Sequence, residues 1–170
     1  MQTQSDIRIR DLLPDADLEL VAQFYRDAPD YWLLAEGQAP DLAKAAAFFT
    51  DGPPGCDPEL SYRLGLFRGP RLSGLAEVSF GFPDPEDAYL GFMMLGPWAR
   101  GAGNGATFLR AAELRARTRG AARIYLAVLD ENPRARAFWL REGFRDTGVR
   151  GEIDMGRKRQ SLRRMSKKLL

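Results

Sequence analysis

A glycine-rich segment between a strand-like run and a long helical pattern limits the fold more than any other part of the sequence. Gly101, Gly103 and Gly105 follow the apolar run AYLGFMMLG, and a helical pattern covers residues 103–119. Arginines in its last turns and Gly120 beyond them are typical of a helix C-terminus. A buried strand, ARIYLAVLD, follows. The order strand, helix, strand predicts a crossover at the centre of the fold.

The segments on either side of this crossover complete the predicted sheet. Three strand-like runs, LSYRLGLFR, RLSGLAEVSFGF and AYLGFMMLG, are joined by short turns and predict an antiparallel meander. One strand and two helices precede them. A helix capped by Asn132, with Pro133 at its first position, and two strands follow the crossover. The order βααβββαβαββ predicts an α/β (α+β) fold: a mixed, mostly antiparallel sheet of about seven strands with helices on both faces, in one domain over residues 1–170.

Composition excludes several classes of chemistry. The 170 residues contain no histidine, which excludes a Ser-His-Asp triad, a Cys-His pair and histidine-containing zinc sites, and we expect no metal site. Cys56 is the only cysteine, so no internal disulfide forms. No apolar run approaches about 18 residues, and the start MQTQSDIRIR lacks the features of a signal peptide. We therefore expect a cytoplasmic protein with no membrane partner.

The glycine-rich segment is a predicted anion site. The first N–H groups of a helix have no intrahelical partner, and the helix dipole is positive there. Glycine lets a phosphate approach these donors closely. A turn that merely needs a positive φ is the alternative, but one glycine would satisfy it. Three glycines in five residues, preceded by Arg100, favour phosphate or pyrophosphate binding.

The identity of that phosphate ligand stays open on these residues alone. No Gly-Lys-Ser/Thr triplet is present, which excludes a Walker loop. Residues 101–106 fit the looser dinucleotide pattern G-x-G-x-x-A, with Asp130 as a ribose ligand. Against this alternative, residues 97–100 separate the strand from the first glycine, and about 40 residues after Asp130 are too few to complete a doubly wound sheet.

Two motifs carry a resemblance to a known family. LGPWARGAGNGATFL resembles the acetyl-CoA signature of the GNAT superfamily of N-acetyltransferases, Arg/Gln-x-x-Gly-x-Gly/Ala, and NPRARAFWLREGF resembles its second signature. The resemblance covers nearly the whole chain and implies acetyl-CoA as cosubstrate, with an acceptor-side region at about 1–60 and an acetyl-CoA core at about 72–145. It implies direct attack of an amine on the thioester, and a strand that leaves its neighbour near residues 93–95. The implied cofactor-binding residues are Met93, Met94, Leu95, Arg100, Gly101, Ala102, Gly103, Asn104, Gly105, Ala106, Asn132 and Phe138.

The general acid and base of the family are missing at their usual places. The family's frequent tyrosine aligns with Trp139, whose indole N–H is a poor acid, and a glutamate of some members aligns with Ala127. We consider Glu77, Asp87 and Tyr89 as substitutes. For Glu77 a solvent-facing strand residue is the alternative interpretation. An amine that arrives partly neutral would need no catalytic residue, and a member that only binds or senses acetyl-CoA is a further alternative.

The acceptor is expected on the side of the first two helices. Tyr31 and Trp32 lie in their connection, where they either bind the acceptor or cap the core. Residues 11–60 carry eleven acids and two bases, which favours a small cationic amine as acceptor. The family often forms homodimers, and the last strand is a plausible edge.

The basic C-terminal end suggests a hypothesis of a different class. Its arginines and lysines would track the phosphates of a nucleic acid or ribosome. Aromatic residues for base stacking are absent after Arg145, so nucleic-acid binding remains the weaker hypothesis. The residues concerned are Arg157, Lys158, Arg159, Arg163, Arg164, Lys167 and Lys168.

Overall fold

The fold is a seven-stranded sheet with helices on both faces. The computed structural model describes residues 6–170. Residues 1–5 lie outside the described residues, and they include part of the segment without signal-peptide features and the start of the predicted acceptor-side region. The strands are β1 (Ile7–Asp11), β2 (Tyr62–Arg68), β3 (Arg71–Phe80), β4 (Ala88–Leu95), β5 (Arg123–Leu129), β6 (Arg145–Met155) and β7 (Lys158–Lys168). The helices are α1 (Leu18–Asp27), α2 (Asp30–Glu36), α3 (Leu42–Ala47), α4 (Asn104–Thr118) and α5 (Pro133–Arg141).

The sheet has one parallel pair at its centre. The strand order is β1-β2-β3-β4-β5-β7-β6, and every pair is antiparallel except β4 with β5, which α4 connects. This confirms the predicted meander and crossover, whereas the prediction of the last strand as an edge is wrong, because β7 lies between β5 and β6. The strand order also rules out a doubly wound sheet, and Asp130 forms an ion pair with Arg163 at 3.1 Å instead of standing free as a ribose ligand.

The predicted order is confirmed except that the structure has one more helix. α2 occupies the segment that the sequence presented as a connection, and its seven residues are too few to show a helical period. Pro29 precedes it, Asp30 stands in its first turn, and Gly37 ends it in the left-handed region at φ 70°. Tyr31 and Trp32 therefore lie on a helix and not in a loop.

Two apolar clusters lie on opposite faces of the sheet. On the α4/α5 face, Phe108 and Trp139 pack against Leu90 of β4. On the α1–α3 face, Phe24 and Trp32 pack against Met94 of the same strand. Leu90 and Met94 are four residues apart and would share a face in a regular strand; an extra residue between them, where the β3–β4 register shifts, puts them on opposite faces. None of the helices within residues 6–170 has both the length and the apolar character needed to cross a membrane.

Candidate active site

β4 and β5 separate soon after they begin. The two strands pair only at Ala88 with Ile124 and at Tyr89 with Tyr125, although β4 continues to Leu95 and β5 to Leu129. β5 remains paired with β7 along its whole length. A gap therefore opens in the middle of the sheet toward the C-terminal ends of both strands, as the resemblance implied. We call it the β4–β5 gap.

Solvent reaches the centre of the sheet through this gap. Gly91 of β4 and Ala127 of β5 are exposed, although both belong to interior strands of a seven-stranded sheet. Gly91 is the extra residue of a β-bulge, because Leu90 pairs with Val78 and Phe92 with Glu77. The bulge and the missing side chain leave the backbone of β4 open at this point.

The loop after β4 presents a row of free N–H groups. Within the described chain, none of the amides of residues 101–106 donates to a protein acceptor, and the first helical bond of α4 runs from Thr107 N–H to the carbonyl of Gly103. The side chain of Asn104 donates to the carbonyl of Ala99 at 3.0 Å, and no side chain caps the helix. Six consecutive donors therefore lie at the positive end of a 15-residue helix.

Local structure accounts for each of the three glycines. Gly101 and Gly103 are in the left-handed region, at φ 83° and 78°. Gly105 lies against Phe138, where an added Cβ would stand 3.0 Å from Cε2 of that ring. The expectation that one glycine would satisfy the turn is therefore wrong, and the number of glycines does not by itself distinguish an anion site from a turn. The free amides carry the anion-site interpretation, and nothing lies within 4 Å of a Cβ at Gly101 or Gly103 to prevent approach.

The side chain of Arg100 points away from these amides. Its Nη2 donates to the carbonyl of Leu95 at 3.1 Å and pairs with Asp30 Oδ2 at 2.9 Å. The backbone N–H of Arg100 donates to the carbonyl of Pro97 at 3.4 Å, so it does not belong to the free row. Arg100 thus connects the end of β4 with the start of α2.

Asn132 and Phe138 of the second motif border the loop and the end of β5. Asn132 caps α5, since its Oδ1 accepts the N–H of Ala135 at 3.2 Å, and its Nδ2 has no protein partner within residues 6–170. Phe138 is half-buried against Gly105. Trp139 is only 8% exposed and packs on Phe138 at 4.9 Å between ring centroids. Trp139 is therefore a core residue.

Glu77 brings a buried carboxylate to the β4–β5 gap. It is 3% exposed, so its interpretation as a solvent-facing strand residue is wrong. Oε1 accepts the hydroxyl of Ser79 and lies 4.0 Å from Nη2 of Arg63, while Oε2 lies against Gly91, where an added Cβ would collide with it. Burial raises the pKa of Glu77 to about 7, and the Ser79 hydroxyl and Arg63 hold the pKa below what burial alone would give.

The other two candidate catalytic residues lie outside the open part of the gap. Asp87 is buried in the β3–β4 turn, where its Oδ2 accepts the N–H of Asp84 at 3.2 Å and burial raises its pKa. Tyr89 belongs to the last β4–β5 pair, and its ring packs on Phe82 at 5.2 Å. Burial raises the pKa of Tyr89, so its hydroxyl stays protonated.

Aromatic side chains stand beside Gly91 on the α1–α3 face. Phe92 is half-buried; Trp32 stacks on it at 5.5 Å, and Tyr31 meets it edge-on at 5.7 Å. Burial raises the pKa of Tyr31 to about 12. Trp32 is only 7% exposed and supports Phe92 from behind. Sequence reasoning missed Phe92, because regular alternation would place it on the same face as Leu90 and only the bulge at Gly91 turns it to the α1–α3 face.

Most acids of the N-terminal third are paired with cations. This removes much of the excess negative charge that favoured a cationic acceptor, because a compensated carboxylate attracts a ligand weakly. The pairs are Arg10–Asp17, Arg26–Glu19, Lys44–Glu36, Arg71–Asp27, Arg100–Asp30 and Arg115–Asp11.

Comparison with known proteins identifies the family of this chain. The family model described as the acetyltransferase (GNAT) family matches residues 17–144, which include β4, the free amides, Asn132 and Phe138. The chain belongs to the GNAT acetyltransferase family. It is therefore an acyl-CoA dependent N-acetyltransferase, and acetyl-CoA is its cosubstrate.

Solved structures share the fold of this GNAT protein. An acetyltransferase from Thermus thermophilus is 23% identical, with a TM-score of 0.73 over 95% of this chain and 96% of that one. The ribosomal-protein-S18-alanine N-acetyltransferase of Escherichia coli is 17% identical, with a TM-score of 0.72 over 96% and 94%. PaiA N-acetyltransferase from Thermoplasma acidophilum, solved with coenzyme A, is 21% identical, with a TM-score of 0.68 over 96% and 99%. A comparison with curated proteins gave no match.

Proposed function

We propose that this GNAT protein acetylates a small cationic primary amine by direct attack in the β4–β5 gap, with Glu77 as the general base. The observation that carries the proposal is the contact between Glu77 and Gly91. A buried carboxylate with a pKa of about 7 lies against the exposed point of an interior strand, in a gap bordered by a row of free amides.

The donors around the gap fit the parts of acetyl-CoA. The amides of Gly101, Ala102, Gly103, Asn104, Gly105 and Ala106 would hold the pyrophosphate, since they are unpartnered and lie at a helix N-terminus. The unpaired edge of β4 at Met93, Met94 and Leu95 would bond the pantetheine arm. Asn132 would donate from its free Nδ2, and Phe138 would supply an apolar contact. When bound, acetyl-CoA supplies an activated acetyl group.

Glu77 has the properties that removal of the amine proton requires. An amine that is cationic at neutral pH must lose a proton before it can attack, and a base with a pKa near the working pH removes it most effectively. The carboxylate is nearly inaccessible, so we propose that the proton passes through a water molecule at Gly91. The N–C bond forms, the C–S bond breaks, the nitrogen releases a second proton to water as the amide forms, and the thiolate takes up one proton. Tyr89, protonated and at the closed end of the gap, is the candidate donor.

The acceptor would enter from the α1–α3 face. Glu77 would favour a cationic amino group there, and Tyr31 and Phe92 would contact the carbon chain that carries it. Trp32 would act from behind, by fixing Phe92. We propose that residues up to about 60 form most of the acceptor side and residues of about 72–145 form the acetyl-CoA core, from which Glu77 and Phe92 also face the acceptor.

Two measurements test the proposal together. Thermal unfolding with and without acetyl-CoA reports binding, and release of the coenzyme A thiol with a panel of cationic, neutral and acidic primary amines reports transfer. We expect stabilisation by acetyl-CoA and by coenzyme A, with thiol release fastest for cationic amines. Stabilisation without thiol release for any amine would replace the proposal by a binding or sensing role. Fastest release with an acidic amine would contradict the cationic acceptor.

A further inference from the structure

We propose that Arg63 is a positioning residue for this reaction: its guanidinium, fixed by the end of α3, keeps Glu77 able to act as the base in the β4–β5 gap. This inference rests on the proposed function of Glu77 and extends it to a residue that lies one strand further from the gap, on β2.

Three hydrogen bonds fix the guanidinium of Arg63. Nη1 donates to the carbonyls of Phe48 and Asp51 at 2.6 and 2.7 Å, and Nε donates to Ser61 Oγ at 2.8 Å. The side chain is 7% exposed. The remaining nitrogen, Nη2, is buried without a hydrogen-bond partner and lies 4.0 Å from Glu77 Oε1. At that distance it acts on Glu77 as a charge and not as a hydrogen-bond donor.

Burial, the Ser79 hydroxyl and the charge of Arg63 at this distance together give Glu77 an intermediate basicity. A carboxylate buried with no cation nearby would keep its proton and could not act as a base at neutral pH. A carboxylate in a bidentate pair with arginine would ionise far below neutral pH and would be a weak base. Arg63 at 4.0 Å lies between these extremes because its Nη1 is committed to the carbonyls of Phe48 and Asp51 and its Nε to Ser61 Oγ. The pKa of Glu77 is about 7.

Groups other than Arg63 also act on Glu77, but none of those that the structure describes carries a positive charge. Ser79 donates its hydroxyl to Oε1 and lowers the pKa of Glu77, whereas the charge of Asp51 raises it. Cys56 and Tyr89 also feel the charge of Glu77, and burial raises the pKa of both, so both remain neutral at pH 7. Within residues 6–170, Arg63 is the cation that acts on Glu77.

The residues that hold Arg63 belong to the acceptor side. Phe48 follows α3, and its ring lies 6.3 Å from that of Phe92, beside Gly91. The segment that forms part of the aromatic cluster therefore also sets the position of the charge next to the base. Any movement of this segment on acceptor binding would change both together.

The test is the pH dependence of kcat/KM for the amine in variants of Arg63. Removal of the charge in Arg63→Met should raise the pKa of Glu77 and move the acid limb of the profile at least one pH unit to the alkaline side. At a fixed pH on the acid side of the profile, kcat/KM of the variant would therefore be at least tenfold below that of the wild type. Arg63→Gln keeps amide donors for the two carbonyls but loses the charge, so it should shift the limb in the same direction even where Arg63→Met does not fold.

Control variants separate this effect from loss of stability. Arg115→Met removes another arginine that packs on an aromatic ring, 4.8 Å from the centroid of Tyr62, away from Glu77, and should leave the limb in place. In a Glu77→Gln background, Arg63→Gln should cause no further shift. If the acid limb keeps its position in Arg63→Gln but disappears in Glu77→Gln, the positioning role of Arg63 is overturned while Glu77 remains the base. Retention of the limb in Glu77→Gln would instead overturn the proposed base.

Discussion

Glu77→Gln should stabilise the protein strongly at pH 8 and only slightly at pH 5. The carboxyl group has an ordinary pKa of 4.5 when unfolded and a pKa of about 7 when folded. Between these values the folded state binds the proton more tightly, so the contribution of Glu77 to the free energy of unfolding falls as the pH rises through this window. At about 1.4 kcal/mol per pH unit, the loss reaches on the order of 3 kcal/mol above pH 7.

Glutamine resembles the neutral acid and avoids that loss. Chemical denaturation at pH 5, 6, 7 and 8 should show a difference between variant and wild type that grows from about 1 kcal/mol at pH 5 to about 3 kcal/mol at pH 8, where it corresponds to about 6–12 °C in Tm. Glu59→Gln, an exposed control, should stay within about 0.5 kcal/mol at every pH. A Glu77→Gln protein that is less stable than wild type at pH 8, or equally shifted at pH 5 and pH 8, would refute the reasoning.

Three further predictions concern the gap and the loop. Gly91→Ala should lower kcat at least tenfold with little change in the KM for acetyl-CoA, because the new methyl group would displace the carboxylate of Glu77; steady-state kinetics measures both. Asn132→Asp should raise the KM for acetyl-CoA while preserving Tm, whereas Asn132→Ala should also lose the cap and about 1 kcal/mol of stability in thermal unfolding. Gly101 and Gly55 both have a positive φ and open space around them, so alanine at either position should lower the free energy of unfolding by about 1–2 kcal/mol. Only Gly101→Ala should weaken acetyl-CoA binding in calorimetry. Equal affinities of the two variants would contradict the role of the loop.

Short-range patterns made the loop and the elements around it predictable. The helix that follows the glycines, its arginine-rich end and the Asn132 cap depend on residues within a few positions of one another, and the structure has all of them. The two motifs, at their correct separation, identified the family that the comparison confirms. The separation of β4 from β5 came only through that resemblance.

Contacts between distant segments determined what the sequence left open. The burial of Glu77 depends on Arg63 of the neighbouring strand β2 and on the bulge at Gly91 of β4. Neither contact is visible from the residues next to Glu77 in the sequence. The acids of the N-terminal third appeared uncompensated because Asp27 and Asp30 pair with Arg71 and Arg100, many residues away. The sequence did not predict helix α2 because this helix is shorter than two helical turns.

The turnover of Glu77→Gln at saturating acetyl-CoA tests the central claim most directly. Thiol release with the best amine should be measured from pH 6 to pH 9, with the Kd for acetyl-CoA determined in parallel by calorimetry. The proposed mechanism predicts a loss of kcat of about 10²–10⁴, disappearance of the pH dependence near 7, and an unchanged Kd. Wild-type turnover in Glu77→Gln, with the same pH dependence, would contradict the assignment of Glu77 as the base.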